Sequence, residues 1–289
     1  GLGGSPVTFN AVAFAGRATQ VVATAGDLQI AVVGTAVATD PAVRAEDQFG
    51  NPVPGASITF AVSGSGGSVT GAAQLTNGAG VATVGSWTLG TTIGTDTLAA
   101  TLSGLTPVTF TATALAGAAS QIQAIAGGGE TVTVNTAVTT APAVQVTDQF
   151  GNPVAGATVT FAVASGGGSL GGPGAVTTDG AGGATSPAWT MGTAVGANTL
   201  TATASGLTGS PVTFTATGTA AAASRMVVFA GDSQAALVNS AVSTAPAVRV
   251  TDQFGNPIAG VPVSFAPVLG GGSVAGANPT TGLGGVATV

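Results

Sequence analysis

The stretch that decides the fold is Asp47-Gln-Phe-Gly-Asn-Pro-Val-Pro-Gly-Ala-Ser-Ile-Thr-Phe60. Its first half is turn chemistry. Gly50 and Asn51 tolerate positive φ, Pro52 fixes its own φ, and the Asp47 carboxylate can accept N–H groups of the turn. Its second half, continuing as Ile58-Thr-Phe60-Ala-Val62, alternates apolar with small or polar residues, the period of a strand buried on one face. A turn thus runs directly into a β-strand.

The same hexapeptide returns at Asp148–Pro153 and Asp252–Pro257, at offsets of 101 and 104 residues. Pro-Val-Thr-Phe recurs with the same offsets at Pro6–Phe9, Pro107–Phe110 and Pro211–Phe214, and Trp-Thr-(Leu/Met)-Gly stands at Trp87–Gly90 and Trp189–Gly192. Solenoid units are shorter, roughly 20–50 residues, so this period marks tandem domains. The markers divide the chain into residues 1–15, the last strand of a preceding repeat, followed by repeats at 16–115, 116–219 and 220–289. The third repeat is expected to lack its last two strands, as if the window were cut out of phase with its domains.

Each repeat reads as β throughout. Val43/Ala45, Val144/Val146 and Val248/Val250 alternate with Arg44, Gln145 and Arg249, which are placed on the outward face. Val159/Phe161/Val163 and Val263/Phe265 repeat the pattern of the opening stretch. Leu98/Ala100/Leu102 and Leu200/Ala202/Ala204 give a later strand, and Val108/Phe110/Ala112 and Val212/Phe214/Ala216 the closing one. About seven short strands per hundred residues, with turn signals between them, predict a β-sandwich. The connections 114–120 and 217–224 are short and Ala-rich, which restricts swivelling between repeats.

Composition narrows the chemistry. Among 289 residues there are 48 Gly and 15 Pro, only four Lys or Arg and ten Asp or Glu, and 45% are hydrophobic. Such hydropathy with so little charge is the reverse of a disordered chain. There is no His, Cys or Tyr, which removes most general acid–base, thiol and metal–thiolate chemistry. The acids are scattered, and no spacing pairs two of them for glycoside hydrolysis. A net charge of −6 with Arg17, Arg44, Arg225 and Arg249 as cations argues against nucleic acid as a partner. Apolar runs such as Ala11–Ala15 and Met226–Ala230 are far below the ~20 residues of a membrane helix, so membrane insertion is not expected.

The run Asp-Gln-Phe-Gly-Asn-Pro-Val-x-Gly-Ala-x-(Ile/Val)-Thr-Phe at 47–60 and 148–161, with Gly-Ala-Gly-x-Ala-Thr at 78–83 and the closing Val-Thr-Phe-Thr-Ala, resembles bacterial immunoglobulin-like domains of group one. These are the repeated extracellular units of intimin- and invasin-type surface proteins. The resemblance spans essentially the whole chain. It implies an all-β, rod-like array of tandem immunoglobulin-like sandwiches on a bacterial cell surface or in a secreted filament. In that family such repeats act as a stalk, and binding usually lies in a distinct terminal module. No such module is visible in the sequence, so a host or neighbouring-cell surface would be reached through residues outside it, and no adhesive residue carries over.

Four site readings are weighed. Asp47, Asp148 and Asp252, with neighbours such as Glu46 or Asp40, could hold calcium, but Ca²⁺ takes six to eight oxygens and each repeat shares only one repeated carboxylate; the turn reading is preferred and no cofactor is expected. Trp87 and Trp189 are either core residues or exposed sugar-stacking platforms, the latter being the mark of a carbohydrate-binding or phage-surface accessory module. The loops Gly64–Gly67, Gly166–Gly174 and Gly270–Gly272 include Gly-x-Gly-x-x-Gly at Gly166, Gly168 and Gly171, yet no helix follows to make a phosphate site. Finally, Val7, Phe9 and Ala11 form a candidate donor strand for a sandwich in another copy. The chain has no Lys to guard edge strands or to form Lys–Asn or Lys–Asp crosslinks, and its small, uncharged surface suits packing against other copies of itself. Compositional drift is the competing account of that surface.

Overall fold

The computed structural model describes residues 4, 6–64 and 66–289. Residues 1–3 and Ser5 of the predicted leading strand and Ser65 of the first Gly-rich loop therefore lie outside the described residues. The chain forms two compact units: Gly1–Ala118 together with Asp148–Asn152, and Ala119–Thr147 together with Pro153–Val289.

In the first unit the strands are β1 (Gln20–Ala25), β2 (Gln29–Val32), β3 (Ala42–Glu46), β4 (Ser57–Ser63), β5 (Ser68–Thr70), β6 (Ala73–Leu75), β7 (Val81–Thr83), β8 (Ser86–Thr88), β9 (Gly94–Thr101) and β10 (Val108–Leu115). They build a three-stranded sheet β1-β3-β7, a five-stranded sheet β2-β10-β9-β4-β6 and a small pair β5-β8. Alternation decides which face is buried: Leu98 and Ala100 on β9 point inward with Phe110 and Ala112 on β10, and Phe110 sits opposite Leu98 in the antiparallel ladder. Phe60 lies opposite Ala100 on the other flank of β9. With Ile58, Val43, Val84 and Leu89 these side chains close around Trp87. Each such large side chain contributes roughly 1.5–3 kcal/mol by leaving water.

One pairing is parallel: β2 runs alongside β10, whereas β1 belongs to the opposite sheet. The chain crosses between sheets at Gly26, where φ is +84° and an added Cβ would lie 2.6 Å from the Pro41 backbone, so the crossing requires glycine on both counts. Alternating apolar residues do not report which sheet a strand joins, and the crossing was not read from the sequence. The repeat also holds ten strands, more than the seven or so expected, because two- and three-residue pairs such as β5 with β8 are too short to show a period.

The second unit begins with the same plan. It contains β11 (Gln121–Ala126), β12 (Glu130–Thr133), β13 (Ala143–Thr147), β14 (Thr158–Ser165), β15 (Ser169–Leu170), β16 (Ala175–Thr177), β17 (Gly183–Thr185), β18 (Trp189–Thr190), β19 (Gly196–Thr203) and β20 (Val212–Thr219). Its sheets are β11-β13-β17 and β12-β20-β19-β14-β16, with β15-β18 as the small pair. Trp189, Phe161, Phe214, Leu200 and Met191 fill the core. Beyond it, β21 (Arg225–Ala230), β22 (Ala247–Thr251) and β23 (Val286–Thr288) form one three-stranded sheet over a small core of Val250, Val263 and Ala287. The strand expected at Val263/Phe265 is absent. Its counterpart β14 pairs with β19 on one side and with β16 on the other. Among the described residues, the segment 261–265 keeps only the second kind of contact, a bridge from Pro262 to Thr280 flanked by Val263 N donating to Pro279 O and Phe265 N to Ala277 O.

Candidate functional site

The repeated hexapeptide folds the same way three times. Gly50, Gly151 and Gly255 take φ of +79°, +86° and +91°, as the turn reading requires. The Asp carboxylate is the centre of each turn. Asp148 Oδ1 accepts from Phe150 N at 2.8 Å and from Asn152 N at 2.9 Å, while Oδ2 accepts from Gly117 N at 2.9 Å in the linker ahead of the repeat. Asp47 receives the same bonds from Phe49, Asn51 and Gly16, and Asp252 from Phe254, Asn256 and Ala221.

These donors favour the ionised form. The N–H of Gly16 foremost, then the groups of Asn51 and Phe49, lower Asp47 to about 2 against the opposing effect of burial. At Asp148 and Asp252 burial pushes the carboxyl up most strongly, but the side chains of Asn152 and Asn256 and the surrounding N–H groups together outweigh it, and both titrate below the ordinary value. This donor set does not fit calcium. The carboxylate lone pairs already face N–H groups, which repel a cation, and among the described residues no group of three or more acids comes together. Glu46 pairs with Arg44 on the same strand.

The asparagine is a residue that sequence reasoning undervalued. Asn51, Asn152 and Asn256 do not adopt positive φ; their side chains work instead. Asn152 Nδ2 donates to Thr91 O at 2.8 Å and Asn152 Oδ1 accepts from Ile93 N at 3.1 Å. In the second unit Asn256 Nδ2 donates to Thr193 O at 2.8 Å and Oδ1 accepts from Val195 N at 3.1 Å. The available signal was the recurrence of Gly-Thr-x-(Ile/Val)-Gly at 90–94 and 192–196 alongside the hexapeptide.

The other candidates are placed as follows. Trp87 and Trp189 are fully buried and offer no stacking face to a sugar. The loop 166–174 opens no helix; Ser169 and Leu170 are strand, and Cβ atoms at Gly168 and Gly174 would strike the carbonyl oxygens of Thr190 and Phe161. Its glycines therefore serve close backbone packing, and the phosphate letters carry no site. Val7, Phe9 and Ala11 are exposed and unpaired to any strand among the described residues, as are Val12 and Phe14. Among the described residues no helix is long and apolar enough to cross a membrane.

No protein-family model matches the chain, and no curated protein sequence matches it. Solved structures do. The Escherichia coli adhesin FdeC shares 21% identity over 94% of this chain and 88% of its own, with a TM-score of 0.56. InvD of Yersinia pseudotuberculosis shares 17% identity over 81% of this chain and 71% of its own, with a TM-score of 0.51. At these identities the likeness is one of fold: the chain is an all-β tandem of immunoglobulin-like sandwiches of the kind found in bacterial adhesins.

Proposed function

We propose that this chain is a non-enzymatic structural segment of a bacterial exterior, a stalk of immunoglobulin-like repeats that supports attachment to a surface or contact between cells. The supporting observation is the combination of closed apolar cores around Trp87 and Trp189 with a repeated turn whose only titratable group is already saturated by N–H donors. Such repeats offer length and spacing and carry no reacting group. The likeness to FdeC, an adhesin, over nearly the whole chain points the same way. In this reading the repeats run over 16–115, 116–219 and 220–289, with residues 1–15 belonging to a preceding sandwich. The test is deletion of residues 16–219 in the native organism, followed by immunogold labelling and an attachment assay. Surface labelling with reduced attachment is the expected result; a chain confined to the cytosol, or catalysis by the purified chain, overturns the reading.

A filament-forming body is the second reading, favoured by the exposed Val7, Phe9, Val12 and Phe14 and by the exposed Met226, Val228 and Phe229 of β21. A second copy is the partner that these apolar residues would meet. Electron microscopy of native material distinguishes the two, ordered multi-chain filaments supporting this reading and isolated molecules the stalk.

A further inference from the structure

The Asn of the second and third hexapeptides makes a pair of bonds that goes beyond its own turn. Thr193 O and Val195 N flank Ala194, and the Asn256 amide takes both, one as donor and one as acceptor. This is the pattern by which the N–H and C=O of one residue in a parallel strand bind a neighbour, so the side chain acts as a piece of added strand and recognises backbone. Asn152 repeats it around Thr92. In both cases the turn and the loop it binds lie in different sequence repeats but in the same compact unit.

Both halves of the contact are held by further hydrogen bonds. The Asn amide is aimed by its own aspartate, since Asn256 Nδ2 also donates to Asp252 Oδ2 at 2.8 Å and Asn152 Nδ2 to Asp148 Oδ2 at 2.9 Å. The receiving loop is braced from beneath: the buried Asp96 accepts from Gly90 N at 3.2 Å, and the buried Asn198 from Gly192 N at 3.1 Å. The contact also dries the turn. Asn152 and Asn256 are only 6% and 7% exposed, whereas Asn51, which meets no such loop among the described residues, is exposed. The neighbouring phenylalanine follows: Phe49 is 79% exposed, Phe150 44% and Phe254 36%, and a Cβ on Gly34 would stand 3.3 Å from the Phe150 ring.

We infer that the hexapeptide is a docking key and Gly-Thr-x-(Ile/Val)-Gly its lock: within the second unit the key of the third repeat seats on the lock of the repeat before it, and the Asn256 amide sets the spacing and orientation of the two. The partner that this surface fits is another repeat of the same kind carrying that loop. Because the amide reads backbone, residue x is free to vary, as Thr92 and Ala194 do. This inference goes beyond the proposed attachment role and does not rest on it.

The absence of cysteine makes the test direct. Ala162→Cys on β14 and Thr288→Cys on β23, both exposed, take spin labels in the otherwise intact chain, and pulsed electron–electron resonance reads the distance between them. The parent gives one narrow distribution. Asn256→Ala removes both bonds, and Val195→Pro removes the loop's N–H without touching the key; each is expected to broaden the distribution at least twofold, while Asn51→Ala leaves it unchanged. With Trp87→Phe introduced throughout, Trp189 fluorescence verifies that the second repeat stays folded, and Val195→Pro keeps the test decisive if Asn256→Ala disturbs the third. A parent distribution that is already broad, or a distribution still narrow in both variants, overturns the inference.

Discussion

Gly117 N donates to Asp148 Oδ2 at 2.9 Å across 31 residues of sequence, and the same bond joins Gly16 to Asp47 and Ala221 to Asp252 with the same separation. One carboxylate thereby ties the connection entering a repeat to the hexapeptide turn within it. Both oxygens are occupied, so the turn and the linker are held by one group. Loss of Asp148 would leave three backbone N–H groups without their acceptor, the buried one of Asn152 among them, and an N–H stranded away from water costs about 1–3 kcal/mol.

Asp148→Ala is accordingly expected to lower the unfolding free energy of its repeat by on the order of 3 kcal/mol. Asp148→Asn keeps the shape but turns an NH₂ group toward some of the same donors, so it recovers little. Chemical denaturation of the two variants beside the parent measures this. A loss under about 1 kcal/mol for both would show that the carboxylate is dispensable.

The pH dependence follows from the same group. The folded carboxylate titrates lower than the unfolded one, so its contribution is fully present above the unfolded value, about 3.9, and disappears as pH falls through the folded value. For Asp47 that folded value is about 2. With no His or Cys in the chain, thermal stability should be level from about pH 5 to pH 8 and drop between about pH 4 and pH 2. A midpoint shift near neutrality in a scan against pH would contradict this.

Calcium provides a separate test of the turn. Because Asp47, Asp148 and Asp252 face N–H donors, addition of calcium or of a chelator should leave the melting temperature and the melting profile unchanged within scatter. A rise in stability with calcium concentration would place a cation at the carboxylates after all.

Much of the fold was legible because tandem repetition supplies its own controls. Alternation at Leu98/Ala100 reappears at Leu200/Ala202, so a period of two emerges where a single strand would be ambiguous, and both pairs are buried as read. The turn role of Asp47 was legible for the same reason. What stayed hidden depends on long-range geometry. The reach from Asn152 to Thr91 spans 61 residues, and no local pattern marks a side chain that serves a neighbour's backbone. The reading of a strand at Val263/Phe265 fails because alternation describes only a face to be buried, while the counterpart β14 is paired on both sides and, among the described residues, the backbone of 261–265 bonds only to 277–281.

Trp189 tests the core. It is fully buried, so Trp189→Ala should destabilise the second sandwich by about 3–5 kcal/mol. Among the described residues its Nε1 has no hydrogen-bond partner, so the indole carries an unpaired polar group that Phe lacks. Trp189→Phe should therefore be milder than the loss of ring volume alone suggests. The parent's emission should be blue-shifted and shielded from iodide, and glycans should leave it unchanged. Quenching by iodide in the folded state would mean that the ring is exposed.

Thr178 carries a prediction that neither composition nor the repeat markers suggested. Its hydroxyl donates to Val154 O at 2.7 Å and accepts from Ala157 N at 2.9 Å, closing the loop between the hexapeptide and β14. Thr76 does the same for Val53 and Ala56, and Thr281 for Ile258 and Val261. Thr178 is buried, so replacing the hydroxyl by a methyl group leaves a carbonyl and an N–H without partners. Thr178→Val, nearly equal in volume, should cost about 2 kcal/mol, whereas Thr178→Ser keeps both bonds and loses one methyl, about 0.8 kcal/mol. Serine ranking above valine in denaturant midpoint is the sign of a hydrogen-bond clamp; the opposite order would show that the methyl group, packed in the core, is what the site needs.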